Sequence, residues 1–380
     1  MSRKVTLVLV DASGTVLGEL PPFDVERPFW PETEDVVAGA RDRYGVDVVI
    51  LRILATEKPE PHGGAVTYLA QTEQRPPDLT PSAVTLTPEP RRPLYAEING
   101  PAKTLEWAEK ALDRPILAKT QLRTWNLSTI WRLETADGPV WLKQVPPFFA
   151  HESAVLRWIG PPLVPKVLAA EAGKMLLADV PGHDLYGAGL EMRRAIAAAF
   201  HPVQVSAIRD LPLSGVPDER GHALIEPIER VVAQYNGDPK LVKNLSRRFA
   251  AIEACGLPDT LVHGDLHPGN VRGLPDDLEH LVLIDWGDSS VGHPAFDILR
   301  LTDDVSDVDA AMLIDEWAAR WRTDVPGCRP ERAVELLRPV AALRGAVTYA
   351  DFLARIEPSE HPYHAADVPA CLELAADLAT

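Results

Sequence analysis

Apolar and polar positions recur with two periods along this chain, and the change of period divides it. Residues 5–10 form an apolar, β-branched run closed by Asp11-Ala12-Ser13-Gly14, which predicts a strand, a turn and a second strand over 15–20. Residues 34–44 have helical composition and stop before Gly45, a residue suited to the left-handed position after a helix. The β-branched stretches 46–54 and 66–71 predict two more strands. Prolines at 76, 77, 81, 88, 90 and 93 then break the pattern and predict a linker. A helix over 102–112, with Leu105, Ala108 and Leu112 on one face, ends at Arg114-Pro115. Strands follow over 121–127, 129–135 and 140–145, the last two joined by the turn Ala136-Asp137-Gly138. A helix over 150–159 and a strand over 175–180 complete this section. From residue 190 the period is helical, over 190–200, 224–235, 241–255, 308–322, 332–356 and 366–378. The exception is 260–300, where short apolar runs are broken by Gly, Pro, His and Asp. No internal repeat is visible.

Bulk properties narrow the functions. A length of 380 residues suggests two or three domains, and 46% hydrophobic residues suffice for sizeable cores. A net charge of −17 argues against a nucleic-acid partner, because such binding draws on clustered Lys and Arg. An acidic chain attracts cations instead, such as metal ions or an amine-bearing substrate. Cys255, Cys328 and Cys371 are far apart with no CxxC pair, so neither a zinc knuckle nor a disulfide framework is expected. Free thiols suit a reducing compartment. The N-terminal apolar run is too short for a signal peptide, and no run of eighteen apolar residues exists. The expectation is a cytoplasmic protein with no membrane partner. A phosphate-binding GxxxxGK[ST] loop, a GxSxG elbow and a GxGxxG following a strand are all missing.

The chemical signal lies in 261–270, Leu-Val-His-Gly-Asp-Leu-His-Pro-Gly-Asn, and 281–287, Leu-Val-Leu-Ile-Asp-Trp-Gly. Phosphoryl transfer needs a carboxylate to orient the attacking hydroxyl and accept its proton, and oxygen ligands to hold magnesium against the phosphates. Asp265 fits the first role. Asn270 and Asp285 fit the second, as hard oxygen donors of the kind magnesium takes. His263 and His267 have zinc spacing for a helix, but Gly264 and Pro268 prevent a regular helix from holding both.

These residues resemble the aminoglycoside phosphotransferase family, the small-molecule branch of the protein-kinase-like fold. Its catalytic-loop pattern is matched by His263-Gly264-Asp265-Leu266-His267-Pro268-Gly269-Asn270. Its metal-binding pattern is matched by Ile284-Asp285-Trp286 with Gly292-His293-Pro294-Ala295-Phe296-Asp297. The resemblance implies catalytic roles for Asp265 and His263, the histidine bracing the loop, and metal-binding roles for Asn270 and Asp285. It makes Lys143 the phosphate-gripping lysine, Glu152 its ion-pair partner, and Asp179-Val180 part of a hinge whose backbone meets the adenine. Asp297 is expected to cap a helix or anchor the catalytic loop. The turn that would cover the phosphates, Trp125-Asn126-Leu127-Ser128-Thr129, lacks glycine, and the Ser128 and Thr129 hydroxyls are the candidate contacts. The implied cofactors are Mg2+ and ATP or GTP as phosphoryl donor.

The resemblance spans about 115–380. The expected class is α/β (α+β), a bilobal protein-kinase-like fold with a small β-rich N-lobe and a largely helical C-lobe, preceded by a small α/β domain. The expected division is 1–75 for that domain, 76–100 for a Pro-rich linker, 101–180 for the N-lobe and 181–380 for the C-lobe. Residues 1–75 resemble a Nudix-type fold topologically. The metal-binding glutamates of its catalytic helix are replaced here by Ala38-Gly39-Ala40-Arg41-Asp42-Arg43-Tyr44-Gly45, so no pyrophosphatase activity is expected. Candidate roles are a binding or dimerisation module, the latter making a homodimer, or a lid over the kinase lobe. The function expected is phosphorylation of a small-molecule hydroxyl, on an aminoglycoside, amino sugar or other amine-bearing alcohol, with Asp288, Asp303 and Asp304 as candidate amine contacts. The alternative is a nucleotide-binding regulatory protein with little turnover. A protein kinase is disfavoured, since no arginine follows His263 and no Ala-Pro-Glu follows Asp285.

Overall fold

The computed structural model describes residues 2–57, 62–211, 213 and 215–379. They form two compact units. The first comprises Met1–Ala150, Val167–Asp179 and Asp351–Ala366; the second comprises His151–Lys166, Val180–Ala350 and Asp367–Thr380.

The first unit holds two five-stranded sheets. One contains β1 (Arg3–Val10), β2 (Val16–Glu19), β3 (Phe23–Val25), β4 (Val49–Thr56) and β5 (Gly64–Gln71), with α1 (Glu34–Tyr44) packed against it. β1 is central, parallel to β5 and antiparallel to β2 and β3. Both faces of β1 are apolar and covered, so Val5, Leu7 and Leu9 enter one core and Val8 and Val10 another. This two-sided burial explains why its sequence is a continuous apolar run rather than an alternating one. Gly45 ends α1 at φ 66, the left-handed conformation that its position requires. No helix or strand forms over 76–93. α2 (Gly100–Leu112) follows, burying Leu105, Ala108 and Leu112.

The second sheet is antiparallel, in the order β6 (Ala118–Trp125), β7 (Ser128–Thr135), β8 (Gly138–Gln144), β10 (Lys174–Ala178) and β9 (Val167–Glu171). The two sheets are joined by side-chain mimicry of a strand. The Gln121 amide accepts from the Ile50 N–H at 2.9 Å and donates to the Ile50 carbonyl at 2.7 Å.

The two-residue turn between β6 and β7 is clamped by 357–364 of the same unit. The Asn126 N–H donates to Glu360 Oε2 at 2.7 Å, and the Glu357 N–H donates to Asn126 Oδ1 at 3.0 Å. Trp125 packs edge-on against Tyr363 at 5.1 Å. Glu360 is buried, and burial pushes its carboxyl from an ordinary 4.5 to about 7. The folded pKa exceeds the unfolded one. The contribution of Glu360 to stability is therefore fully present below pH 4.5, falls as pH rises to about 7, and is gone above. The loss amounts to about 3 kcal/mol. Glu360→Gln should make the fall of stability with pH less steep in denaturant unfolding at pH 5, 6, 7 and 8. An unchanged slope would show that Glu360 does not titrate there.

The second unit contains α3 (Glu152–Ile159), β11 (His183–Asp184), α4 (Leu190–Asp210), α5 (Gly221–Gln234), α6 (Leu245–Glu253), β12 (Thr260–Val262), β13 (Val271–Gly273), β14 (Val282–Leu283), β15 (Ser290–Gly292), α7 (Ala295–Leu301), α8 (Asp307–Asp324), most of α9 (Pro330–Arg355) and a last helix, Asp367–Leu378. α4 runs through Pro202 rather than stopping near residue 200. Its continuation buries His201, Gln204 and Ala207, and that packing outweighs the lost N–H. Cys255 and Cys328 are buried free thiols and Cys371 is half-buried. Among the described residues no helix is long and apolar enough to cross a membrane.

Candidate active site

Two short ladders in the second unit hold the chemically marked segments. β12 pairs with β15, Leu261 opposite Val291, and β13 pairs with β14, Val271 opposite Leu283. The second ladder is extended by the Ile284 N–H, which donates to the Asn270 carbonyl at 2.9 Å. Asn270 and Asp285 thus stand at the same end of one ladder. Asp285 is exposed and has φ 62, a left-handed turn directly after the strand.

Asp265 is surrounded by donors. Arg300 Nε donates to Oδ1 at 2.7 Å, Asn270 Nδ2 donates to Oδ2 at 3.0 Å, and His267 Nε2 lies 3.5 Å from Oδ2. Burial alone would raise its pKa. The His267 hydrogen bond and the Arg300 charge overcome this and hold the carboxyl well below the usual carboxylate range. Asp265 is therefore ionised at neutral pH.

His263 is fully buried, and burial pulls its pKa down to about 4. Nε2 lies 3.0 Å from the Ile284 carbonyl, and Nδ1 accepts from the Asp265 N–H at 3.4 Å. A neutral ring protonated on Nε2 satisfies both contacts. The imidazole thus braces the Asp265 loop against the Asp285 segment, with Trp286 packed on it at 4.4 Å. It has no ring nitrogen left for proton transfer.

Asp297 accepts from the His263 N–H at 3.1 Å, the Gly264 N–H at 3.1 Å and Gln204 Nε2 at 3.0 Å. It anchors the loop, and burial raises its carboxyl to about 7. Gly264 has φ 89, and a Cβ there would lie 2.1 Å from the Asp288 carbonyl oxygen. The buried Arg344 on α9 spans the same junction. Nε donates to Glu219 at 2.5 Å, Nη1 to the Gly264 carbonyl at 3.2 Å and Nη2 to the Asp288 carbonyl at 3.4 Å.

The remaining predicted residues are placed as follows. Glu152 opens α3, is buried, and its Oε1 accepts from the Trp286 N–H at 3.2 Å. This ties the helix to the residue after Asp285. Lys143 is buried on β8, in register with Ile130 and Met175 of the neighbouring strands. Asp179 is exposed and accepts from Trp141 Nε1 at 2.6 Å. The Val180 carbonyl accepts from Arg272 Nε at 3.3 Å. Ser128 and Thr129 turn inward instead of facing solvent. Ser128 Oγ accepts from Trp125 Nε1 at 3.1 Å, and Thr129 Oγ1 donates to the Arg123 carbonyl at 3.2 Å. Of the candidate amine contacts, Asp303 already pairs with Arg300 Nη1 at 3.0 Å. Asp288 is half-buried, and burial, with Asp265 and Asp285 nearby, raises its carboxyl to about 8.

Sequence reasoning missed Arg300, Arg344, Gln204 and Glu219. One signal for Arg344 was visible, an arginine inside the apolar run Ala341-Ala342-Leu343-Arg344-Gly345-Ala346-Val347. Among the described residues no group of three His, Cys, Asp or Glu side chains could hold a metal. Asn270 and Asp285 are two hard oxygen donors, which suits a cation that completes its shell with phosphates and water.

The model of the phosphotransferase enzyme family matches residues 117–333, more than half of the chain. No curated protein matches the sequence. Solved structures share the fold. Choline kinase LicA from Streptococcus pneumoniae is 16% identical with a TM-score of 0.55, covering 72% of this chain and 98% of its own. Macrolide 2'-phosphotransferase MphH from Brachybacterium faecium is 17% identical with a TM-score of 0.54, again covering 72% and 98%. The GDP complex of aminoglycoside 2'-phosphotransferase-IIIa is 15% identical with a TM-score of 0.50 and the same coverage.

Proposed function

We propose that this chain, which belongs to the phosphotransferase enzyme family, moves the γ-phosphoryl group of a nucleoside triphosphate onto the hydroxyl of a small molecule. The observation that carries this reading is the convergence of Asp265, Asn270 and Asp285. The Asn270 side-chain amide donates to Asp265, and its main-chain carbonyl accepts from the Ile284 N–H, one residue before Asp285. That leaves the Asn270 side-chain oxygen to join the Asp285 carboxylate at a cation. Magnesium held there would neutralise charge on the phosphates. The ionised Asp265 orients the acceptor hydroxyl. The hydroxyl oxygen forms the new bond to phosphorus, the bond to the bridging oxygen of the nucleoside diphosphate breaks, and the hydroxyl proton passes to Asp265. Because the transition state is loose, a weakly basic carboxylate suffices, and positioning matters more than basicity. Lys143 is the proposed phosphate contact and the 179–180 backbone the proposed base contact.

The test is ADP or GDP release with MgATP or MgGTP. The panel covers aminoglycosides, macrolides, amino sugars, neutral sugars and choline-like alcohols. Release with one class names the acceptor. Turnover should vanish with a chelator and fall at least ~100-fold in Asp285→Asn, since metal clamping of the phosphates supplies several kcal/mol. Release that persists in both would remove the metal role. No release across the panel, with calorimetric binding of MgATP, would favour a nucleotide-binding regulatory protein.

A further inference from the structure

We propose that Arg300 is the residue that positions the catalytic carboxylate, locking the plane of Asp265 so that one lone pair faces the acceptor hydroxyl. The inference rests on the reading of Asp265 as the group that receives the hydroxyl proton.

A short side chain on a Gly- and Pro-broken loop can turn about two bonds. Asp265 must not, because a displacement of about 1 Å at a reacting group can cost on the order of 100-fold in rate. Its two oxygens are held by different donors, Oδ1 by Arg300 and Oδ2 by Asn270. Two donors on opposite oxygens fix the carboxylate plane as well as its place.

Arg300 is itself fixed. It lies on α7 one turn after Asp297, so a seven-residue helix reaches the catalytic loop twice. Asp297 holds the backbone of His263 and Gly264, and Arg300 holds the side chain of the next residue. The other arm of Arg300, Nη1, is bonded to Asp303 at 3.0 Å. The buried Arg193 secures the end of α7 through the Leu301 carbonyl at 2.6 Å and the Asp303 carbonyl at 3.2 Å. The planar guanidinium is thus gripped at two edges. Lysine could supply the charge but not the fork. Exposed ion pairs contribute little. Here both side chains keep only about a third of their surface exposed, at 35% for Arg300 and 34% for Asp265.

The test combines Arg300→Gln and Arg300→Lys with Asp265→Asn, using the acceptor found in the panel. Arg300→Gln should lower kcat about 10- to 100-fold with KM for both substrates unchanged, and Arg300→Lys should restore only part of it. In the Asp265→Asn background, Arg300→Gln should change the residual rate by less than about twofold, because a residue acting through Asp265 has nothing left to position. Multiplying losses, or a rise in KM alone, would overturn the proposal in favour of direct substrate contact or general loop support. The link is also readable without turnover. In nitrogen-15 spectra the Arg300 Nε–H should exchange slowly in the wild type and fast in Asp265→Ala, which removes the accepting oxygen. Fast exchange in the wild type overturns the proposal even in an active enzyme. Slow exchange in a protein that turns over no panel member would sink the transferase reading and keep the carboxylate lock.

Discussion

Asp265→Asn is expected to lower kcat by about 10²- to 10⁴-fold, the range for losing a positioned proton acceptor, while calorimetric binding of MgATP stays within about threefold. The substitution keeps size and shape. It keeps an oxygen that can accept from Arg300, and it removes the proton-accepting charge. It also turns one acceptor edge into a donor, so the new amide NH2 meets the Asn270 amide that now bonds to Oδ2. One of the two must lose its partner, which costs about 1–3 kcal/mol where the groups are buried. A modest fall in melting temperature should therefore accompany the kinetic loss. The two effects are separable, because a folded protein that binds nucleotide yet barely turns over has lost chemistry and not structure. A kcat within tenfold of wild type would mean that the acceptor hydroxyl needs no carboxylate here, and the assignment of Asp265 would fall.

Much of this arrangement was legible in the sequence, because the parts that phosphoryl transfer needs are local in the chain. The loop 261–270 and the strand ending at Asp285 each carry their own signature of Gly, Pro and hard oxygen donors. The expected helix over 34–44 and the helices and strands from 102 to 159 rest on periodicity and turn chemistry, which are also local. What was not legible depends on packing between distant elements. β9, Val167–Glu171, is alanine-rich and becomes a strand by pairing with β10. Pro202 reads as a stop, yet α4 continues to Asp210 and thereby delivers Gln204 to Asp297. Ser128 and Thr129 sit in the turn expected to cover phosphates, and the bonds they make inside their own hairpin, Ser128 accepting from Trp125 and Thr129 donating to Arg123, carry no mark in the sequence. Arg300 looks like an ordinary surface arginine in the chain, Arg344 is marked only by its apolar neighbours, and the partners of both are set only when helix and loop meet. The supports of a site are drawn from across the fold, so they leave weaker sequence signals than the residues proposed for the chemistry.

Gly264→Ala should show how closely those supports fit. Glycine stands at φ 89, and an alanine forced to that conformation costs about 1–2 kcal/mol. The added Cβ would also lie 2.1 Å from the Asp288 carbonyl oxygen and 3.0 Å from Arg344 Nη2. The first neighbour is backbone and cannot swing away, and relieving such overpacking costs a further ~1–3 kcal/mol. The expected loss is about 2–5 kcal/mol of stability. Gly45→Ala is the control. It has φ 66 and nothing within 4 Å of its virtual Cβ, so it carries the conformational cost alone. The difference between the two variants in denaturant unfolding isolates the contact between the Asp265 loop and the Asp288 segment. Kinetics should separate them further. Relief at Gly264 must move the loop that carries Asp265 against the segment that carries Asp285, so kcat should fall at least ~100-fold, whereas Gly45→Ala should leave kcat unchanged. Equal melting temperatures with full activity in Gly264→Ala would mean that the two segments move independently, and the clamp formed by Gly264, Asp297 and Arg344 would not be what aligns base and metal ligands.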